Sequence, residues 1–356
     1  MIIYFLRVFI IKMKKILFIL KERFYHKSNV KSYGLINSAT QIVDYLNESG
    51  YQAKAVSVIN ENGIDKEVYG FKPDVVVIEA LWVCGEKLKE LIELKRYQKI
   101  KWIVRIHSDI GYLSAETMAL KYVNDYIALN KSNLVIAPNN EKFTEYLSNG
   151  MNYTFKCLPN IITIRKEKNN PIEKSDVMNI GCFGALRILK NQTFQALCAI
   201  KAANILGKTL HFHINTDVFN YVDSEEKMNP VLKNLEELFK YSKHKLIEHG
   251  WKENNKFQKL IKNMDFGMQL SFTESFNIVT ADFVNNNKLI LVSDAINWMP
   301  NIFKTSTTNY FLVTMKIIMC YRLRNIQFLK RLMRRSLIKH NKHSKKIWAD
   351  FMINNN

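Results

Sequence analysis

Proline and glycine are scarce: 6 and 12 in 356 residues. Little is therefore available to build a long flexible linker between domains. The five cysteines, Cys84, Cys157, Cys182, Cys198 and Cys320, are odd in number and show no paired spacing. That argues against a disulfide scaffold and for reduced thiols in a cytosol-like compartment. No run of about 18 uninterrupted apolar residues occurs, so no segment reads as a membrane-spanning helix. Acids are missing from one whole stretch, with none between Ala295 and Ala349.

Apolar residues are plentiful, at 47%, against 24% charged. That composition fills buried cores and excludes disorder or fibrous repeats as the main theme. At about 150 residues per domain the length points to two domains. Lys and Arg number 52 against 32 acids, a net charge of +20. Such an excess suits an anionic partner, whether nucleic acid, phosphorylated substrate or membrane surface, or reflects only a Lys-rich composition. Eleven of the basic residues fall between Lys316 and Lys346, so the excess is concentrated at one end. The first twelve residues are apolar but lack a small-residue cleavage site. They are read as an extension ahead of Met13, with a membrane-touching tail as the alternative.

Short apolar runs alternate with helical periodicity, the pattern of βαβ units around parallel sheets. Expected strands in the first half are 16–20, 53–59, 75–79, 102–107, 134–137 and 154–158. A helix over 35–49 places Ala39, Ile42, Val43 and Leu46 on one face and stops at Gly50. The charged segment 165–176 reads as the interdomain link. A second series follows, with strands at 179–183, 209–215, 245–249, 266–270 and 289–293. The expected fold is α/β with two Rossmann-like doubly wound domains facing a cleft, where such folds bind ligands. Domain bounds are 1–165, 177–335 and a basic helix over 336–356.

Two segments carry chemistry. In Gly181-Cys182-Phe183-Gly184-Ala185-Leu186-Arg187-Ile188-Leu189-Lys190-Asn191 a strand runs into a glycine turn. Two cations, Arg187 and Lys190, then stand three apart at a helix start, a setting that suits a diphosphate. The bland alternative is a common turn with solvated cations. In Ser271-Phe272-Thr273-Glu274-Ser275-Phe276-Asn277 a strand opens into a helix carrying Asp282 eight residues after Glu274. Helical spacing then puts both carboxylates near one face, where they can hold sugar hydroxyls. The bland alternative is ordinary helix capping. His211 and His213 could make half a metal site, but no further ligand joins them, so packing histidines are the favoured reading. Trp251 is read as a packed aromatic, with stacking on a nucleobase as the alternative.

In order and spacing these elements, with the strand 289–293, resemble retaining GT-B glycosyltransferases of the family 4 type. The resemblance covers about residues 14 to 300 and includes the Gly34 loop, His107 at a strand end, and Leu158-Pro159-Asn160. It implies a nucleotide-diphosphate sugar held in the cleft. Lys190 would neutralise the diphosphate, and Glu274 would hold the sugar hydroxyls. Ser275, Phe276 and Asn277 would bring a helix N-terminus to the donor, Asp282 would take the ribose, and His107 would face the sugar. Gly34 and Gly184 would let the backbone approach the phosphates. Ala185 stands where the family has Arg, and Arg187 is expected to take over; Asp282 replaces a Glu. The chain has no Asp-x-Asp triplet, so donor binding through a metal is not expected, nor is any cofactor.

The function this implies is transfer of a sugar to a glycan or glycolipid, retaining and metal-independent, in the cytoplasm or peripherally at the membrane. The alternatives are a nucleic-acid-modifying glucosyltransferase or a catalytically silent nucleotide-sugar binder; a nucleotide-sugar epimerase ranks lower. Residues 321–339 place apolar side chains at helical spacing among Arg and Lys. This basic helix suits either an anionic lipid surface or packing on the second domain.

Overall fold

The computed structural model describes residues 13–22, 33–116, 118–166, 175–216 and 229–354. The expected extension over 1–12 lies outside them. The first sheet contains β1 (Lys15–Lys21), β2 (Gln52–Val58), β3 (Val75–Glu79), β4 (Lys101–Ile106) and β5 (Leu134–Pro138). All pair in parallel, in the order β2-β1-β3-β4-β5. The second holds β6 (Val177–Gly181), β7 (Thr209–Asn215), β8 (Lys245–His249), β9 (Phe266–Gln269) and β10 (Leu289–Val292). It is also parallel, in the order β10-β9-β6-β7-β8.

Central strands read as unbroken apolar runs because helices cover both faces of each sheet. Ile16, Leu17, Phe18 and Ile19 are all fully buried. Ile16, Phe18 and Val77 face the helix Tyr33–Glu48, while Leu17, Ile19 and Val76 face the opposite layer. The strand order reverses between β1 and β3 and again between β6 and β9. At such switch points the connections leave in opposite directions and open a crevice beyond the strand C-termini. In the second sheet Gly181 and Gly267 pair side by side. A Cβ on either would come within 2.7–2.8 Å of the Phe283 ring, so both positions are open floor for that aromatic.

Residues 154–158, expected as a strand, do not form one. Lys156 N–H bonds Ile136 O at 3.2 Å and Leu158 N–H bonds Pro138 O at 2.9 Å. Pro138 has no N–H to return, so the ladder never closes.

The chain ends in a 28-residue helix, Gln327–Asn354, about 42 Å long at 1.5 Å per residue. Met333 and Leu337 are buried in the second core, and Trp348 and Met352 in the first. Between them Asn341 accepts the Ile162 N–H at 2.9 Å and donates to Ile162 O. The helix runs unbroken through 335–336, so no boundary separates a domain ending at 335 from a tail starting at 336. The break comes earlier, between the helix Tyr310–Leu323 and Gln327. There Arg324 turns back onto Asp265 at 2.9 Å and onto Tyr321 O at 2.5 Å. The helix expected over 321–339 is thus two elements, and its apolar positions Leu329, Leu332, Met333 and Leu337 pack on the second domain. Among the described residues no helix is long and apolar enough to cross a membrane.

Candidate functional site

Beyond β6 the backbone turns at Gly184, whose φ of +110° is strained for any L side chain. Its N–H is fixed by Asn215 Oδ1 at 3.0 Å, at the end of β7. A single helical turn, Ile188–Lys190, follows and ends at Asn191 with a left-handed φ of 58°. The Asn191 amide then holds Leu270 O and Thr307 O. Gln195 donates to Lys190 O at 2.8 Å and accepts the Leu270 N–H at 3.0 Å. These bonds lock the Lys190 turn to the loop that leaves β9.

That loop carries Glu274, which is not in a helix. The helix starts at Ile278, because Asn277 adopts φ 65° and caps the Thr280 N–H at 2.8 Å. Helical spacing therefore does not relate Glu274 to Asp282, and the expected shared face does not form. Instead Glu274 Oε1 collects Ser271 Oγ at 2.7 Å, Asn277 Nδ2 at 2.8 Å and the Lys190 ammonium. Its Oε2 accepts no hydrogen bond among the described residues. Ile278 and Val279 line the cleft, and their N–H groups, in the first turn, have no intrahelical acceptor.

The first domain supplies His107, one residue beyond β4. Its Nε2 contacts Glu79 Oε2, and Asn139 Nδ2 lies 3.5 Å from its Nδ1. Burial pushes the imidazole below its ordinary pKa despite Glu79. A neutral ring facing that carboxylate donates from Nε2 and leaves Nδ1 as the acceptor. Burial acts to raise Glu79, but Arg105 and His107 outweigh it and hold the carboxyl below its usual range. Arg105 is fully buried beside it, with Nη1 at 2.7 and 2.9 Å from the two carboxylate oxygens.

Four contacts close the domains on one another here. Ser275 Oγ donates to His107 O at 2.7 Å, and Asn140 Nδ2 donates to Ser275 O at 2.8 Å. A Cβ on Gly111 would sit 2.7 Å from Thr273 Cγ2. The Tyr112 ring lies beneath Arg187 and Lys190, at 5.4 and 5.5 Å from its centroid. Its hydroxyl is buried without a partner among the described residues. Burial, and then Glu274, push that phenol above its ordinary pKa, with Arg187 opposing.

The resulting cleft measures about 250 Å³ and is lined by Gly34, His107, Gly184, Lys190, Glu274, Ser275, Phe276 and Asn277, all expected from the sequence. Phe276 contributes from a packed position: its ring stacks on Trp298 at 5.6 Å and His340 at 4.9 Å. Arg187 is exposed and reaches the site only through the Tyr112 ring. Asp282 does not line this cleft; Gln258 Nε2 holds its carboxylate at 2.6 Å. Sequence reasoning missed Tyr112, Asn139 and the Glu79–Arg105 pair. A signal existed for the pair, since Glu79 and Arg105 each interrupt an otherwise apolar strand. His213 bonds His249 at 2.9 Å and Asn179 at 3.0 Å. Burial, then His249, hold its pKa down to about 4, and it serves packing.

Burial raises the Asp282 carboxyl to about 6, against Gln258 and Arg165. A raised acid pKa favours the protonated form in the folded state. Its contribution is complete below pH 3.8 and is lost as pH rises past 6. Asp282→Asn keeps an acceptor for Gln258 and removes that loss. The variant is expected to melt above the parent beyond pH 6, with the gain vanishing toward pH 3.8. Melting below the parent at neutral pH would contradict this.

Neither a scan of protein families nor a search of curated proteins returns a match. Solved structures do match over nearly the whole chain. A trehalose-6-phosphate synthase studied for glycosyl transfer with retention aligns with TM-score 0.65 and 13% identity, over 95% of this chain and 99% of that one. An E. coli protein solved with UDP-2-fluoro glucose gives 0.62 and 11%, over 94% and 98%. Sucrose-phosphate synthase from Thermosynechococcus elongatus gives 0.63 and 10%, over 95% and 100%. At these identities the likeness establishes the fold, and the fold of this chain is GT-B, two Rossmann-like domains closed on one cleft.

Proposed function

We propose that this protein is a glycosyltransferase that moves a sugar from a nucleotide-diphosphate sugar to a glycan or lipid-linked acceptor, with retention and without a metal. The observation that carries the reading is the Lys190–Glu274 pair. A carboxylate with one oxygen saturated by three donors, and the other unpaired among the described residues, stands at the switch point and lines one cleft with His107 of the other domain. Structures of this fold solved with UDP-2-fluoro glucose or assigned retaining transfer support it.

Glu274 Oε2 is the acceptor for sugar hydroxyls, and its position is set before the donor arrives. Lys190 serves the diphosphate, whose departure builds negative charge on the leaving oxygens; a fixed cation stabilises that charge without reorganisation. Arg187, across the same Tyr112 ring, adds a second cation in place of the one lost at Ala185. The first-turn N–H groups of Ile278 and Val279 point the helix dipole's positive end at the same region. His107, held between Glu79 and Asn139, faces the sugar from the first domain.

A panel of UDP-, GDP-, ADP- and dTDP-sugars, with EDTA present, tests this. One donor is expected to raise the melting temperature and to be hydrolysed slowly to free sugar whose first-formed anomer keeps the donor configuration by NMR. Stabilisation without turnover would mark a silent binder, inversion would end the retaining assignment, and a requirement for divalent metal would end the metal-free one.

A further inference from the structure

The helix Tyr310–Leu323 sends Val313, Ile317, Ile318 and Tyr321 into the second-domain core. It also carries an opposite apolar face that no other described residue covers. Phe311, Met315 and Met319 recur every four residues and are all exposed, Phe311 at 74%. At that spacing they form one ridge along the helix. Ile326 and Phe328, the latter 65% exposed, lie just past its end, at the turn into Gln327–Asn354. Lys316 donates to Ile302 O at 3.1 Å, which brings the exposed Ile302 beside the same helix. A contiguous apolar surface of this kind on a water-facing helix marks an interaction site.

The charge beside it is of one sign. Arg322 and Arg331 flank the turn. Arg331, Arg335, Lys339, Lys342 and Lys346 are exposed and spaced four, four, three and four apart. That is a single stripe on the outer face of the closing helix, about 22 Å long at 1.5 Å per residue. No acid lies in the chain between Ala295 and Ala349. Glu141 of the first domain meets His343 at 2.7 Å beside the row, and the five cations themselves make no ion pair among the described residues.

We propose that the ridge and the cationic stripe are the surface by which this protein rests on a bilayer rich in anionic lipid. Phe311, Met315, Met319 and Phe328 enter the headgroup boundary, and the Arg and Lys row lies against the lipid phosphates. A second copy of the chain would meet this face with the same positive charge. A nucleic acid would use the cations but gain nothing from the exposed phenylalanines and methionines. The free apolar face therefore centres on Tyr310–Leu323. Of the positions within 321–339 that the sequence brought forward, Leu329, Leu332, Met333 and Leu337 are packed on the second domain, while Leu323 and Ile326 are exposed. This inference does not depend on the transferase reading.

The test is co-sedimentation of the full chain with vesicles of phosphatidylcholine alone and with added phosphatidylglycerol. Binding is expected only with the anionic lipid and should weaken as salt rises. Arg335→Gln/Lys339→Gln should lower the partition coefficient about fivefold for each charge removed. Phe311→Ser/Met319→Ser should lower it tenfold or more. Both variants should keep the parent's melting temperature, since all four side chains are exposed. Equal binding to neutral vesicles, no binding, or unchanged binding by both variants would overturn the proposal. A dimer dissolved by Phe311→Ser would assign the ridge to self-association instead. Preference for duplex DNA over the vesicles would assign the stripe to nucleic acid. Either result overturns it.

Discussion

Arg105→Met will lower the free energy of unfolding near neutral pH by about 3–5 kcal/mol, the cost of leaving one member of a buried ion pair behind. All five guanidinium donors are placed. Nη1 meets both Glu79 oxygens, Nε and Nη2 meet Leu158 O at 3.2 and 3.1 Å, and Nη2 meets Asn160 Oδ1 at 2.8 Å. The guanidinium also lies over the Trp348 ring at 5.4 Å, and Trp348 Nε1 donates to Pro159 O at 2.8 Å. The variant therefore strips a fully buried Glu79 of its main counter-charge and loosens the seat of the closing helix. The sign of the pH dependence follows. In the parent, Glu79 has a depressed pKa, so its stability is present above pH 4.5 and is lost as pH falls through the folded value. In the variant burial acts unopposed by Arg105 and the carboxyl rises, so the deficit is full near pH 7 and shrinks below pH 4.5. Urea unfolding at both pH values checks this, and Arg105→Met/Glu79→Met should recover most of the loss. A deficit under about 1 kcal/mol at neutral pH would contradict the buried-pair account.

Lys190→Ala is expected to lower kcat/KM for transfer by about 10²–10³, the usual effect of deleting one preorganised donor to a developing negative charge. Glu274 keeps Ser271 and Asn277, so the loop keeps its shape and the melting temperature should move only slightly. Separating the two readouts matters: a variant that unfolds says nothing of chemistry. A fall in kcat/KM of less than tenfold, with a donor still bound, would remove Lys190 from the diphosphate site.

The central strands were legible because a parallel strand buried on both faces needs an unbroken apolar run, as at 75–79. The strand 209–215 and the edge strand 245–249, which mix apolar and polar residues, also read to the residue from their place in the βα series. Legibility failed where the outcome depends on one backbone group or one dihedral. Pro138, lacking an N–H, cancels the strand at 154–158. Asn277, in a left-handed conformation that asparagine tolerates, delays the helix to Ile278 and takes Glu274 out of it. The glycine turn, Lys190 and Glu274 stood in short local patterns, and His107 was singled out by its strand-end place and the family resemblance. Their partners were not. Glu79 lies 26 residues before Arg105 and 28 before His107, and they meet only because β3 and β4 are neighbours in the sheet. Tyr112 meets Lys190 only when two domains close, and no local signal in the short helix Ile110–Leu113 announces that.

The donor-induced thermal shift of Glu274→Ala against the parent tests the central claim most directly. The parent should gain melting temperature with one nucleotide-sugar in EDTA, and the variant should lose that gain while still folding. A variant shifted as much as the parent by the same donor would contradict the assignment of this cleft to the sugar.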